Sequence, residues 1–165
     1  MHKILIVEDT LAIREEVRDI LEMEGYQVFQ AENGGIGFEV ALKEGPDLII
    51  SDILMPPLDG FQMFQKLQSY EETRNIPLIF LSAKGEKEDI RIGMNLGAED
   101  YLSKPININD LVNAVENKIK KKITAEQVII DRTAAITHIL ENQKNQIKKL
   151  EDQISEMTNL LTNKG

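Results

Sequence analysis

A doubly wound α/β fold, with five parallel strands, helices on both faces and a long C-terminal helix, is predicted by three observations. Short aliphatic runs alternate with helical patterns five times in about 120 residues. The strongest runs, Ile4-Leu5-Ile6-Val7, Leu48-Ile49-Ile50 and Leu78-Ile79-Phe80-Leu81, are unbroken rather than alternating, as expected of strands covered on both faces. The connections are short, so right-handed crossovers return each strand parallel to the last.

The elements follow in order. Ile4 to Val7 is the first strand. Ile13, Val17, Ile20 and Leu21 recur at helical spacing, and that helix ends near Gly25. Val28-Phe29 marks a weaker strand nearer an edge. A small helix fits Gly35 to Glu44, closed by Gly45-Pro46. Leu48 to Ile50 forms the next strand, ending at Ser51-Asp52. A helix from about Phe61 to Ser69 leads through Asn75-Ile76-Pro77 into the strand Leu78 to Leu81. Another helix is expected over Lys87 to Leu96, then Gly97-Ala98 and a short strand from Asp100 to Ser103. After Lys104-Pro105 a last helix starts near Asn107 to Asp110.

The chain has 165 residues, 42% of them apolar and 28% charged, which suits one soluble domain with an appendage. No apolar run exceeds five residues, far below the roughly 20 that a membrane-spanning helix needs. The N-terminus turns acidic at Glu8-Asp9, too early for a signal peptide. With no cysteine there is no disulfide framework and no zinc-thiolate site, and the expected location is the cytoplasm. Net charge is −9, and its distribution matters. Residues 121–165 hold seven Lys/Arg against six Asp/Glu, so the acidity belongs to the first 120. Neither part offers a basic stripe, and direct nucleic-acid binding is not expected.

Four stretches place reactive groups at or just after the ends of the expected strands: Glu8-Asp9, Asp52, Ser82 and Lys104. In a doubly wound sheet these ends share the carboxyl edge, where ligands bind at the topological switch point. Singly, each has a plainer reading. Glu8-Asp9 can cap a helix or face its dipole, Ser82 can be an N-cap, Lys104 a solvated lysine and Tyr101 a packing residue. Asp52 is harder to dismiss, because a charge after a buried strand needs a partner or a metal. Together, three carboxylates suit Mg²⁺, which prefers oxygen ligands and keeps several waters. Asp52 is then the candidate nucleophile. Pro105 permits a cis bond that turns the Lys104 stem over the carboxylates, where its charge meets a phosphoryl oxygen.

These residues resemble the receiver domain of bacterial two-component response regulators over essentially all of residues 1–120. The resemblance is carried by Val7-Glu8-Asp9, by Asp52-Ile53-Leu54-Met55-Pro56 with Asp59-Gly60, by Leu81-Ser82-Ala83, and by Gly97-Ala98-Glu99-Asp100-Tyr101-Leu102-Ser103-Lys104-Pro105. It implies a flavodoxin-like sheet of strand order 2-1-3-4-5. It also implies that Asp52 is the phosphoacceptor, Lys104 the essential lysine, and Ser82 with Tyr101 the switch pair. Glu8, Asp9, Asp52 and the Ile53 backbone carbonyl would hold Mg²⁺. A histidine kinase or phosphotransfer protein would donate the phosphoryl group. The chain would catalyse its own aspartyl phosphorylation and dephosphorylation without being an enzyme in the usual sense. Phosphorylation would reshape the face made by the fifth strand and the helices flanking it. Leu54 and Lys84 flank the site where the family varies, and their bulk is expected to hinder the attacking water.

From Ile106 to Lys164 there is neither Gly nor Pro, so nothing forces the last helix to stop. The reading is a receiver domain over residues 1–122 and a helical coiled coil over 123–165. With Ile147 at position a, the a/d set is Ile129, Thr133, Ile136, Leu140, Gln143, Ile147, Leu150, Ile154, Met157 and Leu161, eight of ten apolar. Ile at a with Leu at d around Ile147-Leu150-Ile154 favours a parallel homodimer. The segment Lys120 to Gln127 fits the heptad poorly, and a hinge or break is expected there. His138 falls at f and reads as a surface histidine. Two functions fit: a signalling adaptor whose dimerisation or partner binding depends on phosphorylation, or the receiver and linker of a larger hybrid histidine kinase or diguanylate cyclase.

Overall fold

The structure is a computed structural model and describes residues 1–83, 91, 92, 95, 97, 98 and 100–162. Five parallel strands form one sheet in the order β2-β1-β3-β4-β5: β1 (Lys3–Val7), β2 (Gln27–Ala31), β3 (Leu48–Asp52), β4 (Leu78–Ala83) and β5 (Asp100–Lys104). This is the expected doubly wound, flavodoxin-like topology. The weaker run at Val28-Phe29 is indeed an edge strand, mostly half-buried, while every residue of β3 is buried.

The period-two alternation of each strand divides the core between the two sheet faces. Leu5, Val7, Ile49, Leu78 and Phe80 face one way, into a cluster with Phe38, Ala41, Met63, Phe64 and Leu67. Ile4, Ile6, Leu48, Ile50, Ile79 and Leu81 face the other way, against Val17, Leu21, Leu111, Val115 and Ile119. Helices α2 (Gly34–Glu44) and α3 (Gly60–Gln68) therefore cover the first face. The second is covered by α1 (Leu11–Met23) and the first turns of α4 (Ile108–Thr162). A Cβ on Gly37 would stand 2.8 Å from Met63 Sδ and 2.9 Å from Val7 Cγ2, so α2 packs this closely only because residue 37 has no side chain.

Local chemistry sets the helix ends. Asn33 Oδ1 accepts the Ile36 N–H at 3.0 Å to cap α2, which closes on Gly45 in the left-handed region at φ +56°. Asn107 Oδ1 accepts the N–H groups of Asn109 (2.9 Å) and Asp110 (3.2 Å) where α4 begins. The helix expected over Lys87 to Leu96 lies largely outside the described residues, although Arg91, Ile92 and Asn95 within it are helical.

The chain falls into two units, Met1–Lys122 and the residues from Ile123 onward. The second is helical through Thr162, and its heptad residues Ile129, Ile136, Leu140, Ile147, Leu150, Ile154 and Met157 are all exposed. The expected break between Lys120 and Gln127 does not occur, and every residue there is helical. The segment fails as a heptad but is rich in Lys, Ala, Glu and Gln, which favour helix whatever the seam does. Among the described residues no helix is long and apolar enough to cross a membrane.

Candidate functional site

Parallel pairing in register brings the chemistry to one edge. Val7 pairs with Ser51, Asp52 with Leu81, and Ala83 with Lys104, so the carboxyl ends of β1, β3, β4 and β5 finish together. Glu8 follows β1 and is wholly buried, Asp52 ends β3 at 9% exposure, and Ser82 on β4 is 2% exposed. Asp9 is exposed. The Lys104–Pro105 bond is cis. Lys104 Nζ lies 2.8 Å from Asp52 Oδ2 and 2.7 Å from Glu8 Oε2.

Each carboxylate is anchored on its other side. Asp52 Oδ1 accepts the Ile53 N–H at 2.7 Å, and Glu8 Oε1 accepts the Thr10 N–H at 3.1 Å. Helix α1 begins only at Leu11, with Thr10 at its N-cap, so capping does not account for Glu8 and Asp9. Burial raises the Glu8 pKa, and the neighbouring Asp52 charge raises it further; the hydrogen bond and charge of Lys104 oppose both. Burial alone would lower the Lys104 pKa, yet the hydrogen bonds and charges of Asp52 and Glu8 outweigh it and the net shift is upward. Lys104 is thus held as a cation between two carboxylates.

One carboxylate oxygen from each of Glu8, Asp9 and Asp52 lies within 4.8 Å of the other two. Three negative charges against one lysine leave about two, the charge of a divalent cation, and all donors are hard oxygens. The Ile53 carbonyl accepts the Gly60 N–H at 2.8 Å, which occupies one lone pair and leaves the second for a ligand. The donor set therefore fits a hard divalent ion.

Ser82 stands beside Ser103 in the β4–β5 ladder, one step short of Lys104. Lys84, and the helix that Ser82 would cap, lie outside the described residues. Tyr101, on β5, packs its ring on Phe80 with centroids 5.7 Å apart, and its hydroxyl oxygen is buried. Leu54 is 62% exposed just beyond Asp52 and Ile53. His138 is exposed, its Nδ1 3.2 Å from Asn142 Nδ2, outside this constellation.

Sequence reasoning missed the residues that hold the site by backbone contact. Buried Ser51 donates its hydroxyl to the Asp52 carbonyl at 2.8 Å. Arg14 donates from its guanidinium to the Glu8 carbonyl. Gly60 packs so tightly on Asp52 that a Cβ there would collide with the Asp52 carbonyl oxygen. The pair Asp59-Gly60 was visible as part of a motif, but nothing in the residue types named the contact.

A buried aspartate bonded to lysine, flanked by two further acids at the carboxyl edge of a 2-1-3-4-5 sheet, defines a receiver module of phosphoryl signalling. Residues 4–116 match the response regulator receiver domain family, and the chain belongs to it. The chain is 40% identical to protein PilH of Pseudomonas aeruginosa over 115 residues, 70% of this chain and 95% of that one. It is 39% identical over 121 residues to the DNA-binding dual master transcriptional regulator RpaA of Synechocystis sp., covering 73% of this chain but only 50% of the regulator. The receiver domain of a sensor histidine kinase from Pseudomonas aeruginosa, solved with a magnesium ion coordinated in the active-site cleft, superposes with a TM-score of 0.68. It is 28% identical, and the match covers 72% of this chain and 98% of that one. Receiver domains are phosphoacceptors of two-component systems and bind Mg²⁺ at an acidic site.

Proposed function

We propose that the chain receives a phosphoryl group on Asp52 from the phosphohistidine of a histidine kinase or phosphotransfer protein. In this step the N–P bond of the donor breaks, an Asp52 oxygen–phosphorus bond forms, and the donor imidazole regains its neutral form. The observation that carries the reading is Lys104 Nζ, 2.8 Å from Asp52 Oδ2 and 2.7 Å from Glu8 Oε2, at the mouth of the sheet. Glu8, Asp9, Asp52 and the Ile53 carbonyl would hold Mg²⁺. The ion, when bound, supplies positive charge that offsets the repulsion between a carboxylate and an incoming phosphoryl group. The Ile53 N–H fixes the Asp52 carboxylate in one orientation, and Lys104 presents a cation to the transferred oxygens. Ser82 stands at the end of the adjacent strand, where its hydroxyl donates to the product. Tyr101, whose hydroxyl is already buried and whose ring already packs on Phe80, would then be held in that inward position, fixing the face around β5.

The test is acetyl phosphate labelling in the presence of Mg²⁺. Asp52→Asn takes up no label, and stoichiometric labelling of that variant rejects the assignment. Asp9→Asn keeps the fold and loses at least tenfold in Mg²⁺ affinity by calorimetry. The chain has no tryptophan to report binding by fluorescence.

For output, we assign the residues from Ile123 onward to a parallel two-stranded coiled coil, so that phosphorylation controls self-association or partner binding. The support is the exposed row Ile129, Ile136, Leu140, Ile147, Leu150, Ile154 and Met157 on one helix. A second reading, receiver plus linker of a larger regulator, kinase or cyclase, is favoured by one observation: the chain spans about half the length of RpaA.

A further inference from the structure

The register of the tail's heptad can be counted backwards past Ile129, although the segment there is not apolar. Its preceding layers are Glu126 at a, Lys122 at d, Ile119 at a and Val115 at d. Val115 and Ile119 are 0% and 5% exposed in the core of the first unit, so the protein's own sheet already uses those two layers. Lys122 is the d position between that core and the tail. Its Nζ donates to Asp47 Oδ1 at 2.7 Å, with side chains 28% and 25% exposed.

Asp47 is fixed in turn. Its Oδ2 accepts the Lys3 backbone N–H at 2.9 Å, and its own N–H donates to the Lys3 carbonyl at 2.7 Å. His2 Nδ1 lies 3.4 Å from the same Oδ2. All of these contacts lie within Met1–Lys122. A lysine at d of a parallel two-stranded coil faces its own copy across the seam, where like charges repel and no apolar knob fills the hole. Here the ammonium is held instead by a carboxylate that belongs to the start of β3.

We propose that the Asp47–Lys122 pair sets where self-association begins. It withholds the last d position before the tail and confines the seam between two chains to the layers from Ile129 onward. The inference rests on the coiled-coil reading above and deepens it, naming a second copy of this chain as partner and Lys122 as the residue that limits the interface.

Sedimentation equilibrium of the full chain provides the test, with stoichiometric acetyl phosphate labelling of each variant as the check on folding. Lys122→Leu adds an apolar d layer and lowers the dimer dissociation constant about tenfold or more. Lys122→Gln, a milder change that removes only the charge, lowers it less. Asp47→Asn releases the lysine toward the seam and raises the constant about threefold, and it has no further effect in the Lys122→Leu background. Unchanged constants in labelled, dimeric variants overturn the proposal while leaving the coiled coil intact. A wild-type chain that stays monomeric overturns the coiled coil, and this proposal with it.

Discussion

At the scale of the residue, Lys104 sets one positive charge between Asp52 and Glu8, and in the proposed transfer the same charge would face the reacting group. Removing it in Lys104→Ala leaves two buried carboxylates facing each other, which should lower stability by about 1–3 kcal/mol without metal. A divalent ion supplies the missing charge, so Mg²⁺ should raise the melting temperature of the variant more than that of the wild type. Equal shifts would show that the lysine does not screen the pair. Leu54, 62% exposed just beyond β3, is expected to slow loss of a phosphoryl group from Asp52 by crowding the attacking water. Leu54→Asn should shorten the acyl phosphate lifetime several-fold, read as loss of label after the donor is removed; an unchanged lifetime dismisses the idea. Glu8, Asp52, Ser82 and Lys104 were legible because each falls at or just past the end of an expected strand. Ser51, Thr10 and Gly60 were not, because each acts on main-chain atoms or through its own backbone, and residue type says little about that.

At the scale of the element, α3 shows how a helix start is tied to the site. Asp59 Oδ1 accepts the Gln62 N–H at 2.7 Å, and Gln62 Oε1 accepts the Asp59 N–H at 3.1 Å, a complete capping box. The next residue, Gly60, donates to the Ile53 carbonyl and lies against the Asp52 carbonyl. Asp59→Ala should lose about 1 kcal/mol in urea unfolding and still take up label. Gly60→Ala should lose about 1–3 kcal/mol and also label poorly, because the new methyl group displaces the backbone of Asp52, the proposed acceptor. If both variants behave alike, Gly60 serves only the helix. The elements were largely readable, since unbroken aliphatic strands and Gly or Pro at helix ends leave few alternatives. The segment Lys120 to Gln127 was not. A failed heptad speaks to helix pairing, whereas the backbone follows propensity and the absence of breakers.

At the scale of the whole molecule, pH and oligomeric state are the measurable quantities. Burial pushes the Asp47 pKa upward, but the Lys122 ammonium, the Lys3 N–H and His2 outweigh it and the net shift is down from 3.8. A depressed carboxylate contributes stability above its unfolded pKa, and that contribution disappears as pH falls through the folded value. Asp47→Asn should therefore be less stable than the wild type by about 1 kcal/mol at pH 7. The gap should narrow as pH falls below about 4 toward the folded value, in urea titrations across pH; a gap that does not narrow with falling pH would point to lost packing instead. For the tail, light scattering with and without beryllofluoride separates a constitutive dimer from one that phosphorylation controls. A change in mass that requires Asp52 supports control, and a constant dimeric mass assigns the signal to partner binding.

Phe80 lies in the middle of an aromatic nest, with ring centroids 5.0 Å from Phe61, 6.0 Å from Phe64 and 5.7 Å from Tyr101. It is fully buried on the same strand as Ser82, so its own ring has little room to move. That makes it a stationary witness to any rotation of Tyr101. Ring-current shifts depend steeply on distance and tilt, so the Phe80 ring protons should change resonance when Tyr101 turns, even while the rest of the nest holds still. A single selectively labelled phenylalanine would thus show by NMR whether Tyr101 populates a second position on phosphorylation, in a chain with no tryptophan to provide an optical signal.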